Sequence, residues 1–202
     1  MKPYGLNYGE AIGMVVVNAV QMAHNFIISR LQAAKLVVDA TAGNGKDTLF
    51  LAKNTPATTA ILAFDIQPQA IANTEIVVKQ HQFHHKIRLI LDSHANIANY
   101  IDQPIDAAMF NLGYLPGGDH TLSTCPDITI EAISQTLQLL AVGGLLTVAA
   151  YPGYEHGKRE CQAVHQYLAG LRQQTFAIGS WGMVNQTNSP PVLYVIEKRR
   201  SE

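Results

Sequence analysis

The chain has 202 residues, 48% of them hydrophobic, and its 14 Lys and Arg nearly balance 15 Asp and Glu, for a net charge of −1. This length and apolar content suit a single domain over residues 1–202 with a substantial core, and the near-neutral charge excludes nucleic-acid binding by bulk electrostatics, so any RNA contact must use local patches or shape. Cys125 and Cys161 form no CxxC pair, which argues against a zinc site or a disulfide framework and for reduced thiols in a cytoplasmic protein.

Helical periodicity predicts a first helix over about 9–33. Residues 12–17 have the apolar character of a leader. However, Glu10 precedes them, Asn18 and Gln21 interrupt the pattern, and it continues to Arg30, so a helix is expected instead. Its apolar surface exceeds what one sheet face needs and leaves room for a homodimer. No uninterrupted apolar run approaches about 20 residues, so no membrane span is expected.

Strand and helix then alternate. Strands are predicted near 36–39, 60–65, 87–91, 105–111, 144–150, 174–181 and 192–197, and helices near 45–53, 68–80, 94–100, 127–141 and 156–170. Pro68 is placed to open a helix, where its missing N–H costs little. Gly143-Gly144 is read as ending a helix and releasing the chain into the fifth strand. Turn residues 185–191 join the last two strands without a helix, which predicts an antiparallel pair. The expected fold is α/β and Rossmann-like. It is a class I methyltransferase layout: a seven-stranded, mostly parallel sheet with a C-terminal antiparallel hairpin and helices on both faces.

The densest information lies in Leu36-Val37-Val38-Asp39-Ala40-Thr41-Ala42-Gly43-Asn44-Gly45-Lys46-Asp47-Thr48. A short apolar strand ends on an acid, turns through small residues and starts a helix whose free N–H groups face a ligand. Strand two repeats the strand-to-acid pattern at Asp65, as a nucleoside site requires. A phosphate-binding P-loop fails because Asp47 follows Gly45-Lys46, and GxGxxG fails because Thr48 stands at the third glycine. Asp39 and Asp47 would also repel a pyrophosphate. Charge therefore favours S-adenosylmethionine, which carries an ammonium and a sulfonium, over a dinucleotide. Gly43, Asn44 and Gly45 are expected under its methionine part, with Asp39 or Asp47 near the ammonium. Asp65 is expected on the ribose hydroxyls, Gln67 beside the adenosine, and Asp92, Ser93 and His94 at the adenine edge. The plainer alternatives are a helix-dipole role for Asp47 and a helix-start role for His94.

Strand four ends in Asn111-Leu112-Gly113-Tyr114, similar to the Asn-Pro-Pro-Tyr signature of methyltransferases that modify amino nitrogens. Asn111 is expected to accept substrate N–H bonds and Tyr114 to pack on a flat ring; the alternative is a plain turn after a buried strand. Gly117, Asp119, His120 and Tyr151 are the expected substrate contacts. An alkylamine with a pKa near 10.4 would cost on the order of 4–5 kcal/mol to present neutral at pH 7, and Asp119 or His120 is the expected proton acceptor. Positioning supplies the acceleration, and no metal is expected. The His81-Gln82-Phe83-His84-His85 run is expected to be a solvated loop, and His24 a satisfied helix histidine, the alternative being that it faces the cofactor.

With these residues in hand, the chain resembles the YtqB-like family of rRNA methylases over about 24–198. The resemblance is carried by residues 39–52, Phe64-Asp65-Ile66-Gln67, Ser93-His94, residues 110–120, the block 151–160 and Asn188-Ser189-Pro190-Pro191-Val192-Leu193. Pro152 and Tyr154 stand where the family usually has Gly and His. The resemblance implies methyl transfer to the aminomethyl nitrogen of a tRNA wobble uridine, with the anticodon loop as partner. Alternatives from the residues alone are an rRNA-base or small-molecule amine methyltransferase, an NAD-dependent enzyme, and a non-catalytic RNA-binding protein on this scaffold.

Overall fold

Asn18 caps the first described helix: its backbone is extended, and its side chain accepts the Gln21 N–H at 2.9 Å. The computed structural model describes residues 17–113 and 124–201. Helix α1 (Ala19–Leu31) is therefore shorter than the predicted 9–33, because the Asn18 cap forms a new start; residues 9–16 lie outside the described residues. Ala19, Ala23, Ile27 and Leu31, each four residues apart, form its buried stripe.

The remaining elements are β1 (Leu36–Asp39), α2 (Lys46–Asn54), β2 (Ala60–Asp65), α3 (Pro68–Gln80), β3 (Ile87–Leu91), β4 (Ile105–Asn111), α4 (Pro126–Leu139), β5 (Leu140–Ala150), α5 (Glu155–Ala169), β6 (Phe176–Gly182) and β7 (Val192–Lys198). They build one sheet in the order β3-β2-β1-β4-β5-β7-β6. Strands β1 to β5 pair in parallel, and β7 is antiparallel to both β5 and β6. This is the class I methyltransferase fold expected from the sequence.

Each sheet face has its own core. On one side Ala23, Ile27 and Leu31 of α1 and Leu51 of α2 pack on Val37, Ile61 and Ala107. On the other, Ile97, Ile133 of α4 and Val164 of α5 pack on Val38, Phe64, Phe110 and Val148. Helices thus leave β1 and β4 toward opposite faces, and a crevice opens between these neighbouring strands at their carboxyl ends.

Two local expectations change. The predicted helix over 94–100 is a 3₁₀ helix, His94–Tyr100, opened by Ser93 Oγ accepting the Ala95 N–H at 3.2 Å. Gly143-Gly144 does not end a helix. α4 stops at Leu139, where the Lys198 ammonium of β7 donates to the carbonyls of Leu137 and Gln138 at 3.0 and 2.9 Å. The glycines lie inside β5 at a bulge, where the register jumps from Ile105↔Leu140 to Ala107↔Leu145. Gly143 has φ +80°, and a Cβ on Gly144 would come within 2.9 Å of the Ala141 carbonyl oxygen.

Candidate functional site

Because β1 ends at Asp39, opposite Met109, β4 runs two residues further and brings Asn111 beside the following loop. The loop extends the sheet bonding: Ala40 N–H donates to Met109 O at 2.9 Å and Ala42 N–H to Phe64 O at 2.8 Å. The Asn111 N–H donates to Thr41 Oγ1 at 2.8 Å. Gly43 (φ +53°) carries the chain in the left-handed region, and its N–H donates to Asp65 Oδ2 at 2.9 Å. Asn44 Oδ1 accepts from Asn73 Nδ2 at 2.8 Å, and Gly43 O accepts from Thr74 Oγ1 at 3.2 Å, so α3 holds the loop from behind.

Two of the loop residues expected at the ligand have other duties. Asp39 is 1% exposed and does not line the cavity; it accepts from Thr48 Oγ1 at 2.6 Å and from the Thr41 N–H at 3.1 Å. Asp47, the other acid of the loop, does line the cavity. Gly45 also stays off the cavity wall. It precedes α2 at φ +77°, and a Cβ there would sit 3.0 Å from Thr74 Cα, so glycine is needed for the turn and for contact with α3.

Burial, followed by the nearby Asp47 charge, pushes the Asp39 carboxyl up to about 7. The folded chain then binds a proton that the unfolded chain has released, so stability declines as pH rises from about 4 to about 7, by at most about 1.4 kcal/mol per unit. Thermal melting of the ligand-free protein from pH 4.5 to 8 is expected to show this decline, and Asp39→Asn, which cannot ionise, is expected to flatten it.

At the β2 end, both Asp65 oxygens are oriented by backbone donors, Oδ2 by Gly43 and Oδ1 by the Gln67 N–H at 2.9 Å. Each keeps a lone pair for a further donor. Ile66, 54% exposed on the cavity wall, offers an apolar platform beside Gln67. Ser93 caps the 3₁₀ helix with its hydroxyl, whereas Asp92 is clamped by Tyr100 OH at 2.7 Å, Asn96 Nδ2 at 2.9 Å and the Ser93 N–H at 2.7 Å. These bonds, the Tyr100 bond foremost, hold the Asp92 carboxyl below its usual range. His94 is buried and donates from Nδ1 to Ala40 O at 3.2 Å; its Nε2 has no partner among the described residues. Burial lowers the His94 pKa, which keeps the imidazole neutral with Nε2 as an acceptor.

A chain of side-chain bonds crosses the crevice at the β4 end. His24 Nε2 lies 2.7 Å from Asp47 Oδ1, Asp47 Oδ2 accepts from Asn111 Nδ2 at 3.2 Å, and Asn111 Oδ1 accepts from Tyr151 OH at 2.8 Å. Burial pushes the Tyr151 phenol up to about 12, so it remains a donor at neutral pH. Beyond Asn111, Gly113 and Thr124 bond to each other: Gly113 N–H donates to Thr124 Oγ1 at 2.9 Å and Thr124 N–H to Gly113 O at 3.1 Å. Thr124 Oγ1 and Thr129 Oγ1 in turn donate to Glu160 at 2.8 and 2.6 Å. Glu160 is 1% exposed, and burial raises its pKa.

These groups surround one cavity of about 840 Å³ lined by Gly43, Asn44, Asp47, Asp65, Gln67, Ser93, His94, Asn111 and Tyr151 among others. Tyr114, Gly117, Asp119 and His120 lie outside the described residues. Sequence reasoning did not assign Ile66, Cys125, Ile128, His156 or Ser189 to the wall. Ser189 reaches it through a turn in which Asn188 and Ser189 both have positive φ, +66° and +52°; the Asn was a legible signal for that turn, the Ser was not. Among the described residues, no three His, Cys, Asp or Glu side chains are grouped to hold a metal ion, and no helix is long and apolar enough to cross a membrane.

The fold and this crevice define a class I methyltransferase. A family model described as "Putative rRNA methylase" matches residues 61–197, and the chain belongs to that family. It is similar to the crystal structure of a protein from Clostridium thermocellum described as "putative rRNA-methylase", with 42% identity and a TM-score of 0.89 over 92% of this chain and 100% of that one. It is also similar to the methyltransferase SMU.1697c from Streptococcus mutans, solved in complex with SAH, with 36% identity and a TM-score of 0.83 over 91% and 99% of the two chains. A chloroplastic tRNA (mnm(5)s(2)U34)-methyltransferase from Arabidopsis thaliana is 28% identical over 190 residues, 89% of this chain and 69% of that protein.

Proposed function

We propose that the protein transfers a methyl group from S-adenosylmethionine to the aminomethyl nitrogen of a 5-aminomethyluridine, or its 2-thio form, at the tRNA wobble position. The observation that carries this reading is Asn111, whose amide is held between Asp47 and Tyr151 on the wall of the cavity. An acceptor oxygen held there can take an amine N–H with its second lone pair and aim the nitrogen. The Arabidopsis relative supports the choice of nucleoside, since the mnm5 group it is named for is a methylated aminomethyl nitrogen.

The donor is favoured by the charges around the loop. Asp47 and Asp65 both line the cavity, and the charges of both disfavour ionisation of the buried Asp39. A diphosphate would add to that repulsion, whereas an ammonium and a sulfonium relieve it. SAH, bound by the Streptococcus mutans relative, is the product such a donor leaves. Asp65 would hold the ribose, Ile66 and Gln67 the adenosine, Ser93 and His94 the adenine edge, and Asp47 the ammonium. When bound, S-adenosylmethionine supplies an electrophilic methyl on sulfur. The chain's own groups aim the acceptor and exclude water, and Asp119 or His120 would take the proton. A near-neutral protein can read an RNA loop through shape and stacking, with Tyr151 and Tyr154 available on the wall.

The test is transfer of labelled methyl to purified tRNA from cells lacking the gene, with mass spectrometry of the nucleosides. Label on the aminomethyl nitrogen is expected. Label in rRNA or in a small amine alone would move the acceptor, and none in any of these would leave a non-catalytic RNA-binding protein. Calorimetry with NAD beside S-adenosylmethionine separates the dinucleotide alternative.

A further inference from the structure

We propose that His24, far from the Gly-rich loop in sequence, is a positioning residue that fixes which edge of the Asn111 amide faces the acceptor amine; this rests on the amine-transfer reading above. The His24 ring lies flat on Phe50 of α2, with centroids 3.6 Å apart and planes within 3°, so stacking removes its rotational freedom. Its Nε2 is thereby aimed at Asp47 Oδ1, 2.7 Å away, and the Asp47 side chain is 6% exposed. A carboxylate only accepts, so Nε2 carries the hydrogen and the Asn111 edge facing Asp47 Oδ2 is its NH2.

The other edge follows. With Nδ2 committed to Asp47, Asn111 Oδ1 must turn to the opposite side, where Tyr151 OH donates to it at 2.8 Å. A tyrosine hydroxyl alone does not settle the matter, because it can donate to an amide oxygen or accept from an amide N–H. The two amide orientations differ by a half-turn with nearly equal shape, and the acceptor-only Asp47 breaks that degeneracy. An Asn111 turned the wrong way would present N–H to an amine that needs an acceptor. His24 acts one bond further back, holding Asp47 where it can discriminate.

The test compares His24→Phe, which keeps the stacking ring and loses the donor, with His24→Gln, whose amide nitrogen can reach the position of Nε2. In methyl transfer to tRNA at saturating donor, His24→Phe is expected to lower kcat on the order of 10- to 100-fold. SAH affinity by calorimetry is expected to fall by a smaller factor than kcat, since Asp47 also faces the ammonium, and His24→Gln to recover most of kcat. Hydrogen exchange of the Asn111 side-chain amide, read by NMR without substrate, is expected to accelerate in His24→Phe and not in His24→Gln. Unchanged kcat and amide exchange in His24→Phe would overturn the proposal. So would a glutamine variant as impaired as the phenylalanine one, or a loss confined to donor affinity. Should wild-type protein methylate no tRNA, the functional reading fails, and the amide exchange still decides the role of His24.

Discussion

Replacing Asn111 with alanine is expected to lower single-turnover methyl transfer by about 100- to 1000-fold at saturating donor, with SAH affinity held within a few-fold. The expectation follows from where the side chain stands. Its oxygen accepts from Tyr151 OH at the end of β4, while Asp65 and His94, assigned to the nucleoside, bond to Gly43, Gln67 and Ala40. Under the proposed function, truncation would remove the group that aims the amine and spare the residues assigned to the adenosine. It also strands Asp47 Oδ2 and the Tyr151 hydroxyl, so stability is expected to fall by about 1–3 kcal/mol. Asn111→Asp is the sharper control for chemistry, since it keeps the shape but sets a carboxylate against Asp47 and exchanges a donor for repulsion. Full single-turnover activity in Asn111→Ala would remove the amine-cradle assignment, and a matching loss of SAH binding would make Asn111 a cofactor residue instead.

The sheet was legible because its signals are local. Apolar runs bounded by turn residues located all seven strands, and the helix-free link at 185–191 foretold the antiparallel β6–β7 pair. That the loop after β1 borders the cavity was legible for the same reason: an acid, small residues and a helix start are contiguous in the chain. Distinguishing Asp39 from Asp47 was not possible at that level. Both are acids beside the turn, and only the packing of Thr48 and Thr41 against Asp39 separates the internal brace from the cavity residue. Gly143-Gly144 misled because a glycine pair after a helix usually marks its end, whereas here Lys198, about sixty residues downstream, terminates α4 and frees the glycines for a bulge. His24 and Glu160 were hidden by distance. Their partners lie 23 and 31 to 36 residues away in sequence and meet only after the helices have packed.

Gly157→Ala is expected to lower kcat/KM about 100-fold although the residue bonds to nothing in the cavity. Helix α5 carries this glycine near its start, where alanine would favour the helix by about 1 kcal/mol, so a spatial demand outweighs propensity. The demand is Tyr151. A Cβ at Gly157 would lie 2.0 Å from the Tyr151 carbonyl oxygen and 2.8 Å from Cε1 of Tyr154. Backbone cannot yield as a flexible side chain can, so either Tyr151 or the start of α5 must shift by about an ångström, and the expected result is a Tyr151 hydroxyl displaced from Asn111. The strain also lowers stability by about 1–3 kcal/mol, which thermal melting will register. Gly170→Ala, at the cap just past the end of the same helix, is the control, because its nearest atoms lie at 3.5 and 3.6 Å, ordinary contact, and activity near wild type is expected. Tyr151→Phe placed on top of Gly157→Ala then isolates the route. If the glycine acts through the tyrosine hydroxyl, the double variant loses little more than Gly157→Ala alone; additive losses would mean that Gly157 shapes the wall through Tyr154.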